Sequence, residues 1–235
     1  MITEGQCTGL QGKQELKLKK INEYQLIIWD LDGTLYYQKP FRKKMVQMLL
    51  GGLLLKPSHW KEIMVILRYR RLREKWDAAD TEAGLEKRQY EACGKQCGLS
   101  GERVREIIEH WMHAEPLKYL KVYRDEEAAG IIAALRKQGI QNVVYSDYPT
   151  KDKLKALEIS VDRQFCSADR KISCMKPNPR GILHILEVMG VGPEAALMVG
   201  DRMEKDGEAA REAGIDCLIL KSGRSDRALQ YQKIR

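Results

Sequence analysis

The stretch Gln25–Asp32, QLIIWDLD, constrains the fold more than any other part of the chain. Apolar, β-branched and aromatic residues follow one another with no polar alternation, so neither face of the segment suits water. Such a run belongs to a central strand of a parallel sheet covered on both sides, with polar residues only where it emerges at its C-terminal edge. Similar runs recur at Gln141–Asp147 (QNVVYSD), Ala195–Asp201 (AALMVGD) and Asp216–Lys221 (DCLILK). Helical patterns with readable ends lie between them. Asp125 is placed to cap a helix with Glu126 and Glu127 in its first turn, Arg136 and Lys137 in its last, and Gly139 just beyond. Asn178 and Pro179 start another, with Ile182, Leu183, Ile185, Leu186 and Met189 on one face and Gly190 at its end. Strand and helix alternate from about residue 118 onward, which predicts an α/β fold with a doubly wound parallel sheet.

The first strand is separated from the rest by a segment with no convincing strand. Helical patterns instead occupy about 40–55, 58–76, 79–97 and 101–115, with Ser58 and Ser100 as candidate N-caps. The expected organisation is a polar lead-in over 1–20, a core over 21–38 and 118–235, and a helical cap over 39–117. Between residues 38 and 75 the cap carries eleven basic and two acidic side chains, and the whole chain has a net charge of +8. That balance attracts anions, either as a solvated basic face or as a funnel for an anionic ligand. The longest apolar stretch, Met45–Leu55 (MVQMLLGGLLL), is too short for the ~20 residues that a membrane span needs. The lead-in has no apolar signal segment, and the six cysteines are read as reduced thiols of a cytoplasmic protein. Cys93 and Cys97, with His110 and His113 nearby, form a weak zinc pattern, and two ordinary thiols are the expected reading.

Chemistry is concentrated at the predicted strand ends. Asp30 and Asp32, two apart at the end of a strand, are expected to project to one side. Carboxylates so close repel unless a cation or a shared proton lies between them, and ligation by oxygen alone favours Mg²⁺. Gly33 allows the tight turn that brings backbone N–H groups towards an anion. Ser146 and Asp147 end the second strand, and Lys176 in Lys-Pro-Asn-Pro precedes a capped helix. Asp201 and Asp206 follow the strand Ala195–Val199 in GDRMEKD. Together Gly33, Thr34, Ser146, Asp147 and Lys176 form the candidate phosphate-binding set, and Asp30, Asp32, Asp201 and Asp206 the candidate metal set. Tyr36, Tyr37 and Arg202 stand beside these motifs and suit packing as well as substrate contact.

The series DLDGTL, SD, KPNP and GDRMEKD resembles the four motifs of the haloacid dehalogenase superfamily. The resemblance implies a Rossmann-like sheet of order 5-4-1-2-3, with the site at the carboxyl ends of the strands and a C1-type helical cap. It implies that Asp30 attacks phosphorus, that Asp32 is the general acid and base, and that Ser146 and Lys176 hold the phosphoryl group. Mg²⁺ would be bound by the Asp30 carboxylate, the Asp32 backbone carbonyl and Asp201, with Asp206 in support. Dehalogenases of the superfamily lack the carboxylate two residues after the nucleophile, so Asp32 favours the phosphatase branch. The expected activity is hydrolysis of a small phosphomonoester. A phosphomutase, or a non-catalytic protein that binds anions or lipid through its basic cap, are the alternatives. Nucleic acid is not an expected partner, and a membrane surface is the weaker alternative to a small substrate.

Overall fold

The computed structural model describes residues 18–55, 59–75 and 84–234. Ser58, Cys7 and most of the lead-in lie outside the described residues. Five strands, β1 (Leu26–Trp29), β2 (Gln141–Ser146), β3 (Arg163–Cys166), β4 (Ala196–Gly200) and β5 (Asp216–Ile219), form one parallel sheet in the order β3-β2-β1-β4-β5. This is the expected order, read from the opposite edge. β3 has no counterpart among the strands predicted from the sequence. It is an edge strand of four residues, Arg163-Gln164-Phe165-Cys166, in which only Phe165 is buried, so it lacks the apolar run that marks the others.

Helices α1 (Gln38–Leu55), α2 (Trp60–Glu74), α3 (Leu85–Cys97), α4 (Gly101–Ile108) and α5 (Leu117–Leu120) follow β1, with a π-helical stretch over Glu109–Ala114 between the last two. The core helices are α6 (Glu126–Lys137), α7 (Lys151–Leu157), α8 (Arg180–Met189), α9 (Glu208–Ala213) and α10 (Arg224–Ile234). All four residues of β1 are buried, and their alternation sends them into two layers. Ile27 and Trp29 pack with Ile131, Ile132 and Leu135 of α6, Leu154 of α7 and Tyr231 of α10. Leu26 and Ile28 pack with Ile182 and Ile185 of α8 and Ala209 and Ala210 of α9. The caps act as their sequences predict. The Asp125 carboxylate accepts from the N–H groups of Glu127 and Ala128, and Ser100 Oγ accepts from Arg103 N–H.

The helical insertion leaves and re-enters the core at one place. Tyr36 and Arg124 form an antiparallel bridge, and Asp125 N–H donates to the Leu35 carbonyl at 2.9 Å. The insertion has an apolar cluster of its own, made by Val65, Ile66 and Tyr69 of α2, Tyr90 and Cys93 of α3, and Val104, Ile107 and Ile108 of α4. The sulfurs of Cys93 and Cys97 are 3.9 Å apart, and the described cysteines are free thiols.

The basic stretch is not uniformly a solvated face. Arg71 is exposed, whereas Arg73 is only 2% exposed. The Arg73 guanidinium donates to Gln89 Oε1 at 2.7 Å, to Tyr69 Oη at 3.1 Å and to the Asp147 carbonyl at 2.5 Å. It also lies 4.3 Å from the centroid of the Tyr148 ring. One of the eleven basic side chains is therefore a buried tether between insertion and core. Among the described residues, no helix is long and apolar enough to cross a membrane.

Candidate active site

Register places the site. Trp29, the last residue of β1, lies between Val144 of β2 and Val199 of β4, so the chain emerging at Asp30 stands between the ends of those two strands. Asp30 N–H still donates to the Val199 carbonyl at 2.8 Å, which fixes the backbone at this point. The strand has ended by then, and the two carboxylates differ more in surroundings than alternation along a strand predicts. Asp30 is buried; its oxygens accept from Lys176 Nζ at 2.6 Å and from Thr34 Oγ1 at 3.2 Å. Asp32, in the turn beyond, accepts from Lys153 Nζ at 2.6 Å, Tyr36 Oη at 2.5 Å and Ser146 Oγ at 3.2 Å. Both carboxylates line one chamber with Ser146, Lys176, Asp201 and Asp206.

The turn needs Gly33. Its φ is +104°, and a Cβ there would stand 2.2 Å from Asp201 Oδ2, so the glycine lets the loop after β1 meet the loop after β4. Arg227 of α10, itself buried, secures this turn. It donates to the carbonyls of Gly33 and Thr34 and pairs with the Asp125 carboxylate at 3.0 Å. Lys176 is buried and spans Asp30 and Asp206, with Nζ 2.5 Å from Asp206 Oδ1. The Asp147 carboxylate accepts from Lys176 N–H at 3.0 Å and Ser167 Oγ at 2.7 Å. Its side chain thus positions the lysine segment, while Ser146 Oγ accepts from Tyr148 N–H at 3.1 Å. Asp206 Oδ2 accepts from the N–H groups of Asp201 and Arg202 at 3.2 and 3.1 Å.

The charges are unevenly compensated. Burial pushes the Asp30 carboxyl well above the usual carboxylate range, against the pull of Lys176, and the neighbouring Asp206, Asp201 and Asp32 add to the rise. Burial and Asp206 push Asp201 up to about 6. Burial also works against ionisation of Asp32, yet Lys153 and the hydrogen bonds from Lys153, Tyr36 and Ser146 hold it below its usual value. Carboxylate oxygens of Asp30, Asp201 and Asp206 lie within 4.8 Å of one another. Lys176 pairs with two of the three carboxylates, and among the described residues Asp201 has no ion pair. A cluster of oxygen donors with surplus negative charge fits a small hard cation such as Mg²⁺.

The candidate residues therefore come together, with the Thr34 hydroxyl turned to Asp30 and the Asp147 carboxylate turned to the lysine segment. Sequence reasoning missed Lys153 and Arg227, and it counted Arg73 with the solvated or anion-steering basic face, whereas Arg73 is buried. Lys153 lies in KDKLK, where nothing separates it from its solvated neighbours. Tyr36 both packs, with its ring centroid 5.3 Å from that of Phe41, and reaches the site through its hydroxyl.

Over 115 residues the chain is 30% identical to a glyceraldehyde 3-phosphate phosphatase of Methanopyrus kandleri, covering 48% of each chain. Over 202 residues it is 22% identical to phosphoglycolate phosphatase 1 of Pseudomonas aeruginosa, covering 85% of this chain and 70% of that one. The chain spans about half the length, or less, of the first curated relatives it matches. The L-2-haloacid dehalogenase of Xanthobacter autotrophicus shares the fold with a TM-score of 0.57 at 15% identity, over 84% of this chain and 77% of that one. The family model for haloacid dehalogenase-like hydrolases matches residues 24–214, the strand order is in agreement, and the chain belongs to that family.

Proposed function

We propose that the protein hydrolyses a small phosphomonoester through an aspartyl-phosphate on Asp30. The observation that carries this reading is Asp32, a second carboxylate that lines the chamber of Asp30 and is held there by three donors. Carbon–halogen cleavage has no use for such an acid, because halide leaves without a proton. The phosphatase names of the relatives support the same branch.

In this mechanism an Asp30 oxygen attacks phosphorus in line, and the ester oxygen leaves with a proton from Asp32. Water then attacks the phosphoryl group, gives its proton to Asp32 and frees the Asp30 carboxylate. Asp32 is ionised in the free site. A dianionic phosphoryl group beside it adds like charge, which favours protonation there before the first step. Lys176 and Ser146 orient the phosphoryl oxygens, with Lys176 also offsetting their charge. Mg²⁺, held by Asp30, the Asp32 backbone carbonyl and Asp201 with Asp206 in support, would neutralise charge that develops on phosphorus oxygens. The helical insertion serves as the cap over this chamber.

Release of phosphate from p-nitrophenyl phosphate with Mg²⁺ tests the reading. Asp30→Asn should fold normally, show no turnover and form no beryllium fluoride adduct at this position. Wild-type rates in that variant would overturn the mechanism.

A further inference from the structure

A second chamber of about 260 Å³ adjoins the phosphoryl chamber. Asp32, Gln38, Arg42, Arg70 and Tyr148 line both. Most of the polar side chains of the second chamber are therefore at its junction with the first. Lys153 also lines it, but its ammonium is committed to Asp32. The remaining wall is mostly apolar, with Phe41, Met45 and Leu49 of α1, Ile66 of α2, and Leu117 and Leu120 of α5, and the polar atoms of Tyr36 and Trp111 there are committed to Asp32 and Glu62. His113 lines it too, and burial, with Lys153 and Arg73 nearby, pushes its imidazole down to about 4, so it is neutral at physiological pH.

We propose that this chamber receives the alcohol part of the substrate, and that this part is a single apolar alkyl or aryl group. The inference rests on the phosphohydrolase reading above and adds the substrate class. Asp32 supplies the link, since the carboxylate that protonates the leaving oxygen faces both spaces. The ester bond would therefore lie at the junction, with phosphorus among Asp30, Ser146 and Lys176 and the carbon chain among the apolar side chains. Size points the same way. An apolar cavity of about 150 Å³ holds benzene, and a water-sized group takes about 30 Å³, so about 260 Å³ suits roughly eight carbons. A two- or three-carbon polar alcohol would leave most of the apolar wall facing water, and a diacyl lipid would not fit.

The test uses the full chain with Mg²⁺ and measures kcat/KM for n-alkyl phosphates from ethyl to octyl, beside p-nitrophenyl phosphate and phosphoglycolate. Burial of each methylene should raise kcat/KM about two- to fourfold until the chamber is full. Octyl phosphate should exceed phosphoglycolate by more than tenfold. Val46 also lines the chamber and is 53% exposed, so Val46→Trp should fold and should shorten the chain length at which the rise stops. A flat alkyl series, or a preference for phosphoglycolate, overturns the apolar chamber and leaves the phosphohydrolase reading standing. No phosphate release from any ester overturns both. Faster release from phosphatidic acid vesicles than from octyl phosphate overturns the assignment of a single apolar group.

Discussion

Arg73→Met is the most informative perturbation of the insertion's attachment to the core. The guanidinium makes three hydrogen bonds, at 2.5, 2.7 and 3.1 Å, and stacks on Tyr148. Hydrogen bonds from a charged donor contribute about 1.5–3 kcal/mol each, and a desolvated cation–π contact about 2 kcal/mol. Methionine keeps much of the alkyl packing and relieves the desolvation of the charge, several kcal/mol, which offsets much of that gross loss. What persists is the cost of the abandoned acceptors, the fully buried Gln89 Oε1 and the Asp147 carbonyl, at about 1–3 kcal/mol each. The expected net loss is about 3 kcal/mol, which for a chain of this size lowers Tm by about 6–12 °C. Arg71→Met, at an exposed position of the same helix, should stay within about 0.5 kcal/mol of wild type. Urea and thermal unfolding of the two variants measure the difference. Equal stability of Arg73→Met and wild type would refute the reading of Arg73 as a tether.

Lys153→Met should let the Asp32 carboxyl rise towards its usual range, because Lys153 is the main group holding it down. The limb of the kcat/KM–pH profile that Asp32 governs should move to higher pH, and an unchanged profile would exclude the pairing from catalysis. His113 is pushed from 6.5 down to about 4, so the unfolded imidazole takes up its proton first as pH falls, and the folded state loses stability between those values. Lys153, Arg73 and Asp32 are the charges acting on it. His113→Asn should therefore lose about 2 kcal/mol less than wild type between pH 7.5 and 4.5 in chemical unfolding; parallel losses would contradict this. Asp201→Ala should weaken Mg²⁺ binding at least tenfold by calorimetry and leave the metal-free Tm unchanged or higher, since it removes like charge from Asp30 and Asp206. Undiminished affinity would take Asp201 out of the metal set.

Much of the core was legible because its signals are local. The apolar run ending at Asp30 can only be a covered strand, and Asp125, Ser100 and Gly190 mark helix ends through hydrogen bonds or φ values set within a few residues. The four motifs sit at strand ends, so a parallel sheet brings them together once its order is given. β3 escaped because an edge strand with one buried side chain has no periodicity to read. Lys153, Arg73 and Arg227 escaped for another reason. Each is one basic residue among many in the sequence, and only long-range packing turned these three inward, 121, 74 and 102 residues away from Asp32, Asp147 and Asp125. The apolar chamber is likewise tertiary. Met45 and Leu49 belong to an ordinary helical stripe in the sequence, and they become a wall only because Ile66 of α2 and Leu117 and Leu120 of α5 line the same space. Local chemistry thus determined the strands, the caps and the position of the carboxylates at the strand ends, whereas the balance of charge around those carboxylates and the shape of the chambers beside them depended on contacts between distant segments, which no local pattern encodes.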